Sequence, residues 1–301
     1  MLSSKNIAMV ESLKIPEVNV GDKVLGVGSF AEVLEGKWRG TVCAVKRLHR
    51  ITVTELHSIV VDKFMNECQM WSRLRHPNIV LFLGVIQSPE DVLPSLVLEK
   101  MSTNLTKFIE DRNRRDLQLN QKSYILQQVS HALLYIHSQS PPLLHRDLTP
   151  NNVLLDECSL KAKLTDFGLS IVGSNNSTSS RRSILSAAPG TPAFMPPEAK
   201  HRDPVYDMKL DVFSYGNLVA FVITHQWPEP DQPVKLVDGE LVAFSEYGRR
   251  AYFINTMSEI EGSLFNQLVK DCLQNEPHKR PTTEEIVRRM QKICSEQDEV
   301  V

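Results

Sequence analysis

The period of the apolar residues changes once along this chain, near Met101, and that switch limits it to a two-part architecture. From Asp22 to Leu48, β-branched residues and glycines alternate, which predicts three short antiparallel strands joined by turns at Gly28 and Arg39-Gly40. Between 55 and 74, Leu56, Ile59, Val60, Phe64, Cys68, Trp71 and Leu74 recur at three- and four-residue spacing, which predicts a helix that His76-Pro77 stops. Two more strands are expected from Ile79 to Ile86 and from Ser95 to Glu99. Past Met101 the spacing turns helical over 122–138, 210–225 and 263–273, with loops rich in Pro, Ser and Asn between. The expected fold class is therefore α+β and bilobal: a small antiparallel β-sheet lobe with one main helix, then a larger, mainly helical lobe. A cleft between the two is the natural ligand site. Residues 1–19 read as an N-terminal extension, 20–100 as the small lobe, 101–292 as the large lobe and 293–301 as a tail.

With 301 residues and 42% apolar content, the chain has enough material for a real core, which excludes disordered and collagen-like architectures. Its 34 Lys+Arg against 36 Asp+Glu leave a formal charge of -2, so no broad basic face for nucleic acid is expected. The cluster Arg112, Arg114, Arg115 reads as a solvated loop. Cys43, Cys68, Cys158, Cys272 and Cys294 are scattered and form no C-x-x-C pair, which points to reduced thiols and a cytoplasmic location rather than to disulfides or zinc. Apolar runs such as Leu218 to Ile223 are too short to cross a bilayer, and the first twenty residues contain Lys5, Glu11 and Lys14. No membrane insertion is expected.

Three groups of residues carry chemistry. Gly26-Val27-Gly28-Ser29-Phe30-Ala31-Glu32-Val33 is a glycine-rich turn between strands, whose bare backbone can approach phosphates. Alone it is a weak signal, because Ala31 stands where a third glycine is expected and glycine hairpins are commonly just turns. Cys43-Ala44-Val45-Lys46 ends an apolar strand on a cation, and Glu67, twenty-one residues later on the expected helix, can fix that cation for the α- and β-phosphates. The most specific segment runs from His145-Arg146-Asp147-Leu148-Thr149-Pro150-Asn151-Asn152 to Asp166-Phe167-Gly168. Phosphoryl transfer needs a carboxylate to orient the attacking hydroxyl, which suits Asp147, and hard oxygen ligands for Mg²⁺, which suit Asn152 and Asp166. The triplet recurs at His201-Arg202-Asp203, but Met208 stands where the metal-binding Asn should be, so that copy reads as a loop.

With these motifs in this order, residues 20–292 resemble the catalytic domain of eukaryotic protein kinases, so the two expected lobes would be the kinase N-lobe and C-lobe. The resemblance implies ATP with Mg²⁺, or Mn²⁺, as cofactors and Ser/Thr hydroxyls of proteins as acceptors, with Asp147 as catalytic base. It assigns Gly26, Val27 and Gly28 to the phosphates and Lys46 to the same groups, with Glu67 positioning Lys46. Val33, Ala44 and Leu154 would sandwich the adenine. Leu98 matches the gatekeeper, and Glu99 and Met101 offer backbone groups to the adenine edge. Gly190-Thr191-Pro192 and Pro196-Pro197-Glu198 resemble the peptide-binding segment. Asp211 matches the anchor of the catalytic loop, and Arg280 the ion-pair partner of Glu198. Gly36-Lys37-Trp38-Arg39-Gly40 and His76-Pro77-Asn78-Ile79-Val80 are similar to the tyrosine-kinase-like group that includes Raf and mixed-lineage kinases, whose members mostly modify Ser and Thr.

The chain departs from the family at Thr149, where Ser/Thr kinases usually carry a lysine that contacts the transferred phosphate. Losing one cation from a transition state costs on the order of 2 to 3 kcal/mol, a slowing of roughly a hundredfold. The reading favoured by the retained residues is a slow kinase, with dual specificity as a possibility. The alternative is a weakly active or inactive pseudokinase that holds nucleotide as a scaffold. Trp71 lies four residues after Glu67, where the family has an apolar residue. The polar stretch 174–186 has the character of an activation loop, and Arg146 stands where the family captures a phosphate on it. Phosphorylation there, by an upstream kinase or in trans between copies, is the expected switch.

Overall fold

The structure is a computed structural model that describes residues 4–28, 31–49, 64–65, 67–88, 93–114, 116–167, 170–172, 192–200, 207–228, 235–237, 240–242 and 263–298. Residues 55–63 of the expected helix, Gly168, the stretch 174–186, Gly190-Thr191 and the second His-Arg-Asp triplet lie outside the described residues. The chain divides into two compact units, Met1–Ser102 and Thr103–Val301.

In the first unit five strands form one antiparallel sheet in the order β1-β2-β3-β5-β4. They are β1 (Val18–Val27), β2 (Ala31–Trp38), β3 (Thr41–Leu48), β4 (Phe82–Ile86) and β5 (Ser95–Glu99). The predicted turns at Gly28 and Arg39-Gly40 join the first three. β1 starts earlier than the alternation predicts, because Val18 and Asn19 already pair with Trp38 and Lys37. A bulge between Val20 and Val24 breaks the period there and hides the signal. Cys43, Val45 and Val97 form the buried core of one sheet face, covered by Ile15, Val18, Trp38, Leu83 and Ile86. Residues 64–65 and 67–71 are helical (α2), as the spacing predicts.

The N-terminal residues, where the sequence predicts no element, hold a helix, α1 (Ser4–Leu13), and an edge contact. The Ile15 N–H donates to the Val85 carbonyl at 3.0 Å, and Lys14 bridges Val85 in parallel, so this segment covers the outer edge of β4. Gly84 is what admits it. A Cβ at this position, where φ is +156°, would come within 2.6 Å of Ile15 Cγ2 and 2.8 Å of the Leu13 carbonyl.

The second unit is mainly helical: α3 (Leu105–Glu110), α4 (Leu119–His137), α5 (Lys209–Thr224), α6 (Asn266–Cys272) and α7 (Thr283–Asp298). α4 begins three residues before its apolar spacing because the Gln121 side chain accepts from the Gln118 N–H at 2.9 Å and caps the first turn. It packs on α7, α5 and the strand Lys161–Leu164, burying Ile125, Leu126, Val129, Ala132, Leu133 and Ile136. Each such aliphatic side chain larger than alanine contributes about 1.5–3 kcal/mol. α5 is buried along its whole length from Leu210 to Val222 and ends on His225 in the left-handed region at φ 61°. Among the described residues no helix is long and apolar enough to cross a membrane.

Short strands fold the segment that matters most. After β6 (Thr103–Asn104), β7 (Leu143–Leu144) pairs with β10 (Ile171–Val172). β8 (Val153–Asp156) and β9 (Lys161–Leu164) make a hairpin with β6 on its flank. Two to four residues are too few for a period to show, so none of these strands is legible in the sequence.

Candidate active site

In the first unit the sheet register gathers the expected nucleotide-binding residues on one face. Side chains alternate along a strand, so Ala44 and Lys46 point away from the core taken by Cys43 and Val45. Lys46 lies opposite Val33 on β2 and Leu96 on β5, and Ala44 lies opposite Leu98. Ala44 and Leu98 are buried and Val33 is half-buried. The Lys46 ammonium meets Glu67 of α2 at 2.7 Å, with side-chain exposures of 17% and 6%, so the pair is shielded enough to hold its geometry. Gly26 lies opposite Val33 at the exit of β1, and Val27, at 73% exposure, carries its side chain into solvent. The Glu99 N–H donates to the Leu81 carbonyl at 2.9 Å, and its carboxylate accepts from the Leu81 N–H. Met101 is half-buried just past β5. Cys68, beside Glu67, is fully buried, and burial followed by the Glu67 charge pushes its thiol far above the ordinary range, which rules it out as a nucleophile.

α2 is itself pinned by Trp71, four residues after Glu67 and completely buried. Its Nε1–H donates to the Val80 carbonyl at 2.8 Å. The tryptophan that stands where the family has an apolar residue thus adds a polar tether to the helix that carries Glu67.

In the second unit, Asp147 and Asn152 are joined directly. Asn152 Nδ2 donates to the Asp147 carbonyl and to its Oδ2, both at 2.8 Å. Val153 pairs with Leu164 across the hairpin, and the Thr165 N–H donates to the Asn152 carbonyl at 3.0 Å, so the residue before Asp166 lies against Asn152. Asp166 at φ 63° and Arg146 at φ 69° are both left-handed, a cost of about 1–3 kcal/mol each that the surrounding contacts must hold in place. Phe167 is buried and meets the His145 ring edge-on at 5.1 Å. His145 Nε2 faces the Thr165 carbonyl at 3.0 Å and its Nδ1 accepts from the Asp147 N–H at 3.3 Å, which fixes the Nε2–H tautomer. Thr149 is buried, and its carbonyl accepts from the Asn152 N–H. Leu154 is half-buried between the fully buried Val153 and Leu155, so it faces the other way.

Both oxygens of Asp211, on the buried helix α5, hold the backbone before Asp147: Oδ2 accepts from the His145 N–H and Oδ1 from the Arg146 N–H, each at 2.8 Å. Burial alone would raise its pKa, but the hydrogen bond and charge of His137, with the Arg146 N–H, outweigh burial and hold the carboxyl below its ordinary value. His137 Nε2 donates to Asp211 at 2.9 Å, and its Nδ1 lies 2.7 Å from Thr283 Oγ1 at the start of α7. Sequence reasoning missed His137 and Thr283, whose contacts span 74 and 146 residues and leave no local pattern. Arg280, fully buried, forks onto Glu198 at 2.5 and 2.8 Å and also donates to the carbonyls of Gln274, Asn275 and Lys209. Ser214 donates to the Phe194 carbonyl at 3.0 Å, tying the described part of the expected peptide-binding segment to α5.

Residues 20–290 match the family model described as the protein kinase domain. The chain is 29% identical over 288 residues to the probable serine/threonine-protein kinase drkC of Dictyostelium discoideum, covering 95% of this chain and 36% of that protein. It is 32% identical over 283 residues to the serine/threonine-protein kinase CTR1 of Arabidopsis thaliana, covering 90% and 31%. The dual specificity protein kinase splA of Dictyostelium discoideum is 29% identical over 286 residues, covering 90% and 11%. The chain therefore spans well under half the length of these relatives.

Proposed function

The chain belongs to the protein kinase family, and from that membership we propose that it transfers the γ-phosphate of ATP to serine or threonine hydroxyls of protein substrates. The relatives are in keeping with the tyrosine-kinase-like group. What supports the enzyme reading over the scaffold reading is the pair of 2.8 Å hydrogen bonds from Asn152 to Asp147, since a chain that only held nucleotide would have no use for an oriented base.

Lys46, held by Glu67, supplies the cation for the α- and β-phosphates, and Gly26, Val27 and Gly28 cover the same groups with bare backbone. The glycines support this. Among the described residues a Cβ on Gly26 meets nothing within 4 Å, and one on Gly28 meets Ala31 O at 3.4 Å. Folding does not demand glycine there, whereas a ligand lying on the backbone does. Val33, Ala44, Leu98 and Leu154 are the apolar contacts for the adenine, with Glu99 and Met101 offering backbone groups.

Asp147 orients the acceptor hydroxyl and takes its proton. Both hydrogens of the Asn152 amide are directed at Asp147, so Oδ1 is its atom for a cation, alongside the Asp166 carboxylate. One amide oxygen and one carboxylate suit Mg²⁺, or Mn²⁺ in its place, which takes its other ligands from phosphate and water. Such a metal, when bound, would neutralise charge on the transferred phosphate. Arg146 receives a phosphate placed on the 174–186 stretch by an upstream kinase or by a second copy. A cytosolic setting fits the five free cysteines.

The test is ATP turnover on a generic protein substrate, with phosphoamino-acid analysis, for the wild type, Asp147→Asn and Thr149→Lys. The expected result is phosphoserine and phosphothreonine, lost in Asp147→Asn and raised up to roughly a hundredfold in Thr149→Lys. Equal turnover in wild type and Asp147→Asn would make the scaffold reading the correct one. Phosphatase treatment should lower the wild-type rate.

A further inference from the structure

β3 does more than carry Lys46. Its C-terminal end grips both stems of the glycine-rich turn. On the β2 side, Arg47 forks onto one oxygen of Glu32, its partner across the strands, with Nε at 3.1 Å and Nη2 at 2.9 Å. On the β1 side, two residues further along, His49 Nε2 lies 3.1 Å from the Gly28 carbonyl. A carbonyl oxygen only accepts, so Nε2 carries the hydrogen and donates it. The Gly28 N–H is meanwhile held by the Ala31 carbonyl at 2.7 Å. Both polar groups of Gly28 are thus engaged, one within the turn and the other by a side chain that is half-buried.

We propose that His49 is a positioning residue for the nucleotide phosphates, acting as a latch that fixes the Gly28 carbonyl in the orientation the phosphate-binding turn needs. The proposal rests on the kinase reading above. A glycine-rich turn reads phosphate through peptide N–H groups, and glycine is the residue whose backbone loses most freedom on being ordered. A turn with free peptide planes must give up that freedom when the phosphates arrive, which weakens binding. The His49 hydrogen bond removes part of it beforehand, at the glycine where no side chain restrains the backbone. It never touches the phosphates itself. Its influence should therefore scale with the phosphates on the ligand and vanish for a ligand that has none.

The experiment compares wild type, His49→Ala and His49→Gln, all as the full chain, by equilibrium titration with ATP, ADP and adenosine in the presence of Mg²⁺ and by steady-state kinetics. Glutamine carries an N–H donor at a reach close to that of Nε2. The expected result is that His49→Ala weakens ATP and ADP about three- to tenfold, the worth of one net hydrogen bond, and leaves adenosine unchanged. The KM for ATP should rise by the same factor while kcat and the KM for the protein substrate hold, and His49→Gln should recover most of the loss. Unchanged ATP affinity in His49→Ala would overturn the proposal. So would an equal loss for adenosine and ATP, which marks a local packing defect, or a His49→Gln variant no better than His49→Ala. A wild type that binds no ATP would overturn the kinase reading itself, an outcome distinct from a wild type that binds ATP and variants that match it.

Discussion

Glu67 in the first unit and Asp211 in the second are buried carboxylates that hold other groups in place, but they hold different things. Glu67 grips the end of a long, flexible side chain, Lys46, through a contact of 2.7 Å between α2 and β3. Asp211 grips the main chain at His145 and Arg146 with both oxygens and is itself gripped by His137. A tether between side chains leaves the backbone on either side to its own packing, so its loss removes a function and little stability. A tether to the backbone fixes the chain itself, in this case a stretch strained at Arg146, so its loss removes both. Mutations at the two carboxylates and their partners should separate along that line.

Asp211→Asn tests the second half of the contrast and should have the largest effect. The amide keeps one acceptor and turns an N–H donor toward groups that are donors already. Removing the charge from a buried, fully hydrogen-bonded network costs about 3–5 kcal/mol. The urea midpoint should fall accordingly and turnover should disappear with it. A variant within about 1 kcal/mol of wild type would show that the backbone before Asp147 holds its own shape.

How much of this was legible in advance follows the same division. The residues proposed to act chemically lie in short, continuous motifs, because a loop or strand brings neighbours together by itself: Asp147 and Asn152 are five residues apart, and one hairpin returns the chain to Asp166. The sheet and the long helices were legible because their apolar periods run over many residues. Of what holds the motifs, Glu67 was legible by its spacing and Asp211 and Arg280 only through the resemblance, and the contacts behind them were not legible at all. His137 meets Thr283 across 146 residues, Trp71 uses the Val80 carbonyl, and Ile15 reaches the edge of β4 through a gap that exists only because residue 84 is glycine. Each of these depends on tertiary closeness, for which a local pattern carries no signal. α1 was hidden for another reason: among its residues with described side chains, Val10 alone is buried, so it has too narrow an apolar face to register as a helix.

Lys46→Met tests the first half. A preorganised cation at a phosphate is worth about 10²–10³ in rate, so turnover should fall at least a hundredfold. The unfolding free energy should fall by about 1 to 2 kcal/mol, the cost of leaving the shielded Glu67 carboxylate without its Lys46 partner, and so by less than in Asp211→Asn. A stability loss approaching that of Asp211→Asn would break the contrast. Trp71→Phe should fall between the two kinds. It removes the hydrogen bond to Val80 and part of a buried ring while leaving Glu67 untouched, for a loss of about 1–3 kcal/mol. Activity should drop only severalfold, through a less firmly seated α2, and a kinetic loss as large as that of Lys46→Met would mean that Trp71, more than the ion pair, sets the position of Lys46.

The smallest effect at neutral pH, and the most diagnostic of how Asp211 works, is the acid limb of stability. Its carboxyl titrates below the ordinary 3.8 in the folded chain, burial being outweighed by His137 and the Arg146 N–H. A carboxyl with a depressed folded pKa binds protons more readily when unfolded. Its stabilisation is therefore complete above the unfolded value and is lost as pH falls through the folded one. Unfolding midpoints measured from pH 6 down to the acid limit should show wild type converging on Asp211→Asn only below about pH 4. Parallel curves would mean that Asp211 stabilises the loop by shape rather than by charge.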